Sequence, residues 1–185
     1  MQVSPTFAAS LALFLMSAVL FMAALGTRSW ARSGQRLTIG LWDYCANTQG
    51  QGDREWDCFS NYTEFTMATQ AFSILAVVCY VSAFLLYLIY MMFPSLHQSR
   101  AATIGICLLG FSIVSLQIMA MIVFGVKVPE YFELLSRRHF TRIVNDLVVS
   151  WSFGLTIVST LLGTVAGVCV FLELRNITMP EFGEG

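Results

Sequence analysis

The chain has 185 residues, of which 57% are hydrophobic and only 11% charged, with a net charge of −1. Soluble domains carry roughly 25% charged residues, so this composition excludes a soluble globular protein and identifies an integral membrane protein. The near-neutral balance also stands against nucleic-acid binding, which needs a basic footprint.

Four long segments almost free of charge follow one another along the chain. A helical span needs about 20 apolar residues to cross a hydrocarbon core of roughly 30 Å. The first candidate runs from about Phe7 to Leu25, FAASLALFLMSAVLFMAAL. It is either a retained helix or a cleaved signal peptide. The preceding MQVSPT carries no Lys or Arg, and the run exceeds the usual signal core of roughly 7–15 residues, so a retained helix is expected.

A polar stretch, about 26–66, comes next. It holds GLWDYC at Gly40–Cys45, a second cysteine at Cys58, and an NYT sequon at Asn61–Thr63. LTIGLW (Leu37–Trp42) alternates enough to read as a strand, and REWDCF (Arg54–Phe59) reads as its cross-linked neighbour. NTQGQGD between them is rich in turn formers. The acids Asp43, Asp53, Glu55 and Asp57 are candidates to shape outer contacts, set against the plainer reading of a solvated face.

The second span is expected over about 67–93, ending at Pro94, and the third over about 101–124. A second polar loop, about 125–146, leads to a fourth span over about 147–174, with Glu173 at its very end. No Asp, Glu, Lys, Arg or His falls mid-span, which argues against a proton relay or transport path through the bundle. Gln70 and Gln117 are placed to bond between helices. In the fourth span Ser159, Gly163 and Gly167 form a small-xxx-small series, read either as a dimerisation face or as packing against helices of the same chain. Trp30 and Trp151 suit an interfacial aromatic belt.

Two signals disagree about orientation. Arg28, Arg32, Arg36 and Arg54 lie in the first loop, and Lys127, Arg137, Arg138 and Arg142 in the loop after the third span. The turn after the second span has only Arg100 and His97, and the C-terminal tail only Arg175. The positive-inside rule alone would put both ends outside. The cysteines argue the opposite. Cys45 and Cys58 share one polar loop, whereas Cys79, Cys107 and Cys169 lie inside predicted spans. A loop pair is explained by a disulfide made in the secretory lumen, with two free surface thiols as the alternative. Such a bond is worth roughly 3 kcal/mol in the chain-entropy model. Both ends are therefore expected in the cytoplasm and both larger loops outside. Asn61 is then a possible N-glycosylation site, although its closeness to the second span stands against glycan transfer. Asn176, in NIT, would face the cytoplasm unused.

Catalytic motifs are missing: no HExxH, CxxC, GxSxG or glycine-rich phosphate loop occurs, and His97 and His139 fall on opposite sides of the membrane. No enzymatic site, metal or cofactor is expected.

Trp30, the Gly40-Leu41-Trp42 triplet, Cys45 and Cys58 make up a W…GLWxxC…C pattern on a four-span chain. This resembles the claudin superfamily, which includes the peripheral myelin and epithelial membrane proteins and the gamma-type auxiliary subunits of channels and receptors. The resemblance implies a mainly α membrane protein: a left-handed four-helix bundle carrying a small extracellular antiparallel sheet from the first outer loop. Within it Cys45–Cys58 would bridge neighbouring strands, and Trp42 would anchor the sheet near the membrane. The second span lacks the Arg usual at its start in claudins, and the chain ends EFGEG rather than in a PDZ-binding tail. CFSNYTEF and ATQAFSIL look more like the peripheral myelin and epithelial membrane branch, and SWSF like the gamma subunits. The implied function is non-enzymatic organisation of cell–cell contacts or junctional membrane at the plasma membrane, with a gamma-type auxiliary subunit as the alternative. Implied partners are membrane lipid, other membrane proteins in cis or trans, and a homo-oligomer.

Overall fold

A computed structural model describes residues 5–33, 37–47, 56–61, 63–93, 100–139 and 147–178. Helix α1 (Pro5–Gly26) is followed by strands β1 (Ala31–Ser33), β2 (Leu37–Ile39), β3 (Asp43–Asn47) and β4 (Trp56–Ser60). Then come α2 (Glu64–Met92), α3 (Arg100–His139), β5 (Leu147–Val149) and α4 (Trp151–Thr178). All four helices are long and apolar enough to cross a membrane.

Each helix is apolar nearly all round, so its inward face is not marked by hydrophobicity. In α1 and α2 what turns inward is mostly small, hydroxylated or aromatic, whereas α3 and α4 also bury Ile106, Ile113, Val128 and Val170. In α1 the buried row is Phe7, Ser10, Phe14, Ser17, Phe21 and Ala24. In α2 it is Thr66, Thr69, Ser73, Ala76, Tyr80, Ala83, Tyr87 and Tyr90. These steps alternate between three and four residues, the period that accompanies left-handed helix packing. Large side chains such as Met16, Val19, Leu75 and Val78 point outward. Lipid tails solvate them as well as a protein core would, so helices must be joined by close packing and hydrogen bonds instead.

Side-chain size sets the spacing of the bundle. Helix α1 lies close along α4, where a Cβ on Gly163 would stand 3.2 Å from Ser17 Oγ. It meets α2 through rings instead, with centroid separations of 4.5 Å for Phe7–Tyr90, 5.1 Å for Phe14–Tyr87 and 5.4 Å for Phe14–Tyr80. Gly110 of α3 faces Gly167 of α4, at 3.9 Å from a Gly110 Cβ to the Gly167 Cα.

One hydrogen-bonded cluster joins all four helices at mid-height. Ser17 Oγ donates to the Ser159 carbonyl and Ser159 Oγ donates to the Ser17 carbonyl, each at 2.8 Å. With the Ser17 proton so used, Tyr80 Oη is the donor in its 2.6 Å bond to Ser17 Oγ. Gln117 Nε2 sends its two protons to Tyr80 Oη and Ser159 Oγ, both at 3.2 Å. Gln117 Oε1 accepts from Thr160 Oγ1 at 3.1 Å. Every donor of Ser17, Tyr80, Gln117 and Ser159 thus finds an acceptor, as low dielectric demands. Among the described residues, Ser73 Oγ is the buried side-chain oxygen left without a partner.

At one end of the bundle the strands form an antiparallel sheet ordered β4-β3-β2-β1-β5. Three boundaries differ from the sequence reading. First, the strand expected over LTIGLW stops at Ile39, because the chain reverses at Gly40. Hence REWDCF contributes β4, which pairs with β3 rather than with β2. Second, the sheet is not built from the first loop alone. Residues 147–149, expected to begin the fourth span, form β5 beside β1. Third, α3 does not end near Phe124 but continues to His139, through the stretch expected as loop. Its 40 residues reach roughly 60 Å at 1.5 Å each, beyond the ~40–45 Å of a bilayer with headgroups. Lys127 and Glu130, paired at 2.7 Å, mark where the helix becomes polar, not where it stops.

Replacing Gly163 by Val should force α1 from α4 and cost about 1–3 kcal/mol. Gly154→Ala, at an α4 position where a Cβ meets nothing within 4 Å, should be neutral or stabilising by up to about 1 kcal/mol. Thermal unfolding of both variants in nanodiscs measures the contrast.

Candidate functional site

The sheet is fastened to the bundle at the Gly40-Leu41-Trp42 turn. Gly40 N–H donates to the Asp43 carbonyl at 2.8 Å and closes the reversal. A Cβ on Gly40 would stand 2.9 Å from Arg28 Cα and 3.0 Å from the Asp43 oxygen. Both are backbone atoms that cannot swing away, so only glycine fits. Leu41 is fully buried, and its carbonyl accepts from Gln70 Nε2 at 2.8 Å. Gln70, expected to bond between helices, instead ties α2 to this turn.

The two tryptophans of the pattern share one task. A helix leaves its last four carbonyls without intrahelical donors. Trp30 Nε1 donates to the Ala24 carbonyl at 2.8 Å, and Trp42 Nε1 to the Leu25 carbonyl at 2.9 Å. Both indoles therefore cap α1 from the side of the sheet. Trp30 is wholly buried, its ring 5.1 Å from that of Phe124 and 6.1 Å from that of Phe153. That corrects the expectation of an interfacial belt position, because its hydrogen-bond acceptor lies inside the fold rather than in water. Trp42 remains 43% exposed, and Trp151 is exposed at the start of α4.

Cys45 and Cys58 face each other across β3 and β4 and form a disulfide. Just beyond β4, Asn61 N–H donates to the Trp42 carbonyl at 2.8 Å. The Asn61 side chain is buried, with Nδ2 donating to the Gly40 carbonyl at 3.3 Å. A glycan on that nitrogen would require Asn61 to leave the turn. Thr63 N–H donates to Thr66 Oγ1 at 3.1 Å, starting α2 directly after this corner.

Of the candidate contact acids, Asp43 pairs with Arg28 at 3.2 Å, an exposed ion pair that contributes little to stability. Asp57 stands opposite Ala46 on β4, and Asp53 and Glu55 lie outside the described residues. Tyr44, next to Asp43 on β3, stacks on Phe59 of β4 at 5.6 Å, and Phe59 is half exposed. In α4, Ser159, Gly163 and Gly167 face α1 and α3 of the same chain. Among the described residues no three His, Cys, Asp or Glu side chains gather as a metal site, and the buried polar side chains are hydroxyls and amides. The arrangement can hold a cross-linked sheet at a fixed attitude above the bundle. The capping role of the two indoles was missed in the sequence; of the mid-bundle cluster Gln117 was expected to bond between helices, as it does, but its partners Ser17 and Tyr80 were missed. The seven-residue spacing of Ser10 and Ser17 in α1, and of Thr66, Ser73 and Tyr80 in α2, was the available signal for the latter.

A model of the PMP-22/EMP/MP20/Claudin family matches residues 5–170 of the chain. No curated protein matches it.

Gly40→Ala should destabilise the protein by about 1–3 kcal/mol, read by thermal unfolding. Glycosidase treatment should shift the gel mobility of the parent and of Asn61→Gln identically, while Asn61→Gln unfolds at lower temperature because a buried hydrogen-bonded amide is displaced.

Proposed function

This chain belongs to the PMP-22/EMP/MP20/Claudin family and is a claudin-like multi-pass membrane protein, and on that premise we propose that it organises cell–cell contacts or junctional membrane. It does so without catalysis, at the plasma membrane, with both termini in the cytoplasm and the sheet outside. The observation that carries this reading is the anchoring of the sheet. The Cys45–Cys58 bond stiffens its outer half, and Trp30, Trp42, Gln70 and Asn61 fasten its base to α1 and α2. A surface held so firmly loses little conformational freedom when a partner docks on it. The uncharged interior supports the same reading, since transport paths use ionisable side chains within the membrane. The disulfide supports the outside placement of the sheet, because such bonds persist in oxidising compartments.

The partners are membrane proteins in cis or trans, a second copy of the chain included. The test is gentle solubilisation of a tagged protein from native tissue, with identification of what co-purifies and imaging of the tag. Adhesion or junction proteins should be recovered, and the tag should concentrate at cell–cell borders. Stoichiometric recovery of a channel subunit would replace this function with that of a gamma-type auxiliary subunit. After reduction, an impermeant thiol reagent added to intact cells should label Cys45 and Cys58. Labelling only after permeabilisation would reverse the topology.

A further inference from the structure

Strand β5 ends one residue before the membrane-spanning part of α4, which begins at Trp151. The junction is fixed rather than loose: Ser150 N–H donates to the Trp30 carbonyl at 3.0 Å and Ser152 N–H to the Ser29 carbonyl at 3.2 Å. At no more than about 3.6 Å per residue, Val148 lies within roughly 11 Å of Trp151 along the chain. The interfacial layer of a bilayer is about 5–8 Å deep on each side.

The strand is also the edge of the sheet, with β1 on one side and no described strand on the other. Successive residues of a strand point to opposite faces. Here both faces are apolar and open, for Val148 is 62% exposed and Val149 55%. Trp151 continues the patch at 57%. Edges that face water are normally guarded by charge, proline or a bulge. Leu147-Val148-Val149 carries no charge and no proline.

We propose that β5 lies in the lipid interface, an interfacial strand that seats the sheet on the bilayer. The occupant of its exposed faces is the headgroup and upper acyl zone of the surrounding lipid, continuous with the lipid around the start of α4. Val148 and Val149 sink toward the acyl boundary and Trp151 takes the depth its amphipathic ring prefers. The backbone groups of the strand's edge away from β1, beside which no described strand lies, are satisfied by headgroups and interfacial water, which the hydrocarbon core would deny them. This surface is separate from the partner-binding role above and requires only that α4 spans the membrane.

The test uses the full-length protein in nanodiscs. Cys79, Cys107 and Cys169 are replaced by Ala and the Cys45–Cys58 bond is kept. Val148→Cys, Val149→Cys and, as reference, Phe59→Cys of β4 at the opposite edge of the sheet are made singly and labelled with bimane. Positions 148 and 149 are exposed, so either variant alone serves if the other fails to elute as a folded species. Lipids spin-labelled near the headgroup should quench the label at 148 or 149 severalfold more than at 59, with emission shifted to the blue. Water-like emission without lipid quenching would overturn the proposal. So would blue-shifted emission that lipid does not quench, which would show a protein covering the strand.

Discussion

Ser17 and Ser159 each give a proton to the other's backbone carbonyl, and the bundle is organised around that exchange. Two helices can trade such bonds only when their backbones come close, which demands small side chains on both. Gly163 supplies the space one turn further along α4. Tyr80 and Gln117 then complete the cluster from α2 and α3, their long side chains bridging a wider gap. Between helices in lipid a hydrogen bond contributes on the order of 1 kcal/mol. The larger effect is geometric, since the cluster is satisfied in one register and frustrated in others.

A second constraint sets the junction between bundle and sheet. Helix α1 ends near the edge of the apolar layer, where its last carbonyls need donors. The chain meets this with indoles at Trp30 and Trp42, whose large rings at the same time fill the joint between layers. Asn61 and Gln70 do for the turn's own carbonyls, at Gly40 and Leu41, what the indoles do for Ala24 and Leu25. Sheet and bundle thus share one polar seam and move together.

The four spans, the strand-forming loop and its cysteine pair were legible because each is a strong local pattern: apolar runs of sufficient length, alternation, and two thiols outside the membrane. What escaped was set by distant partners. Hydropathy reports where α3 leaves the hydrocarbon, near Lys127, but not where its backbone hydrogen bonding stops. Leu147-Val148-Val149 reads equally as strand or span until β1 is known to lie alongside it. Trp30 has an apolar body and one polar atom, so it suits an interface or a core. The Ala24 carbonyl decides between them, and nothing near Trp30 in sequence announces it. The inward face of each helix was hidden for a related reason: when nearly every residue is apolar, polarity no longer points outward, and hydroxyls occur both inside, as at Ser17 and Ser159, and outside, as at Ser82 and Ser112.

The closing of α1 on α4 and of β1 on β5 brings together the first and last parts of the chain. By contrast the Cys45–Cys58 hairpin spans only 13 residues. Synthesis runs from the N-terminus, and local contacts form faster than distant ones. The cross-linked hairpin is therefore an early product, whereas Ser17 and Trp30 wait for the final helix to leave the ribosome and insert. Until then α1 carries open hydroxyls in the bilayer and β1 has an unpaired edge. Completion of α4 therefore supplies the partners of both ends of the fold, and a lesion near Ser159 should leave the cross-linked hairpin formed while α1 loses its hydrogen-bonded seam with α4.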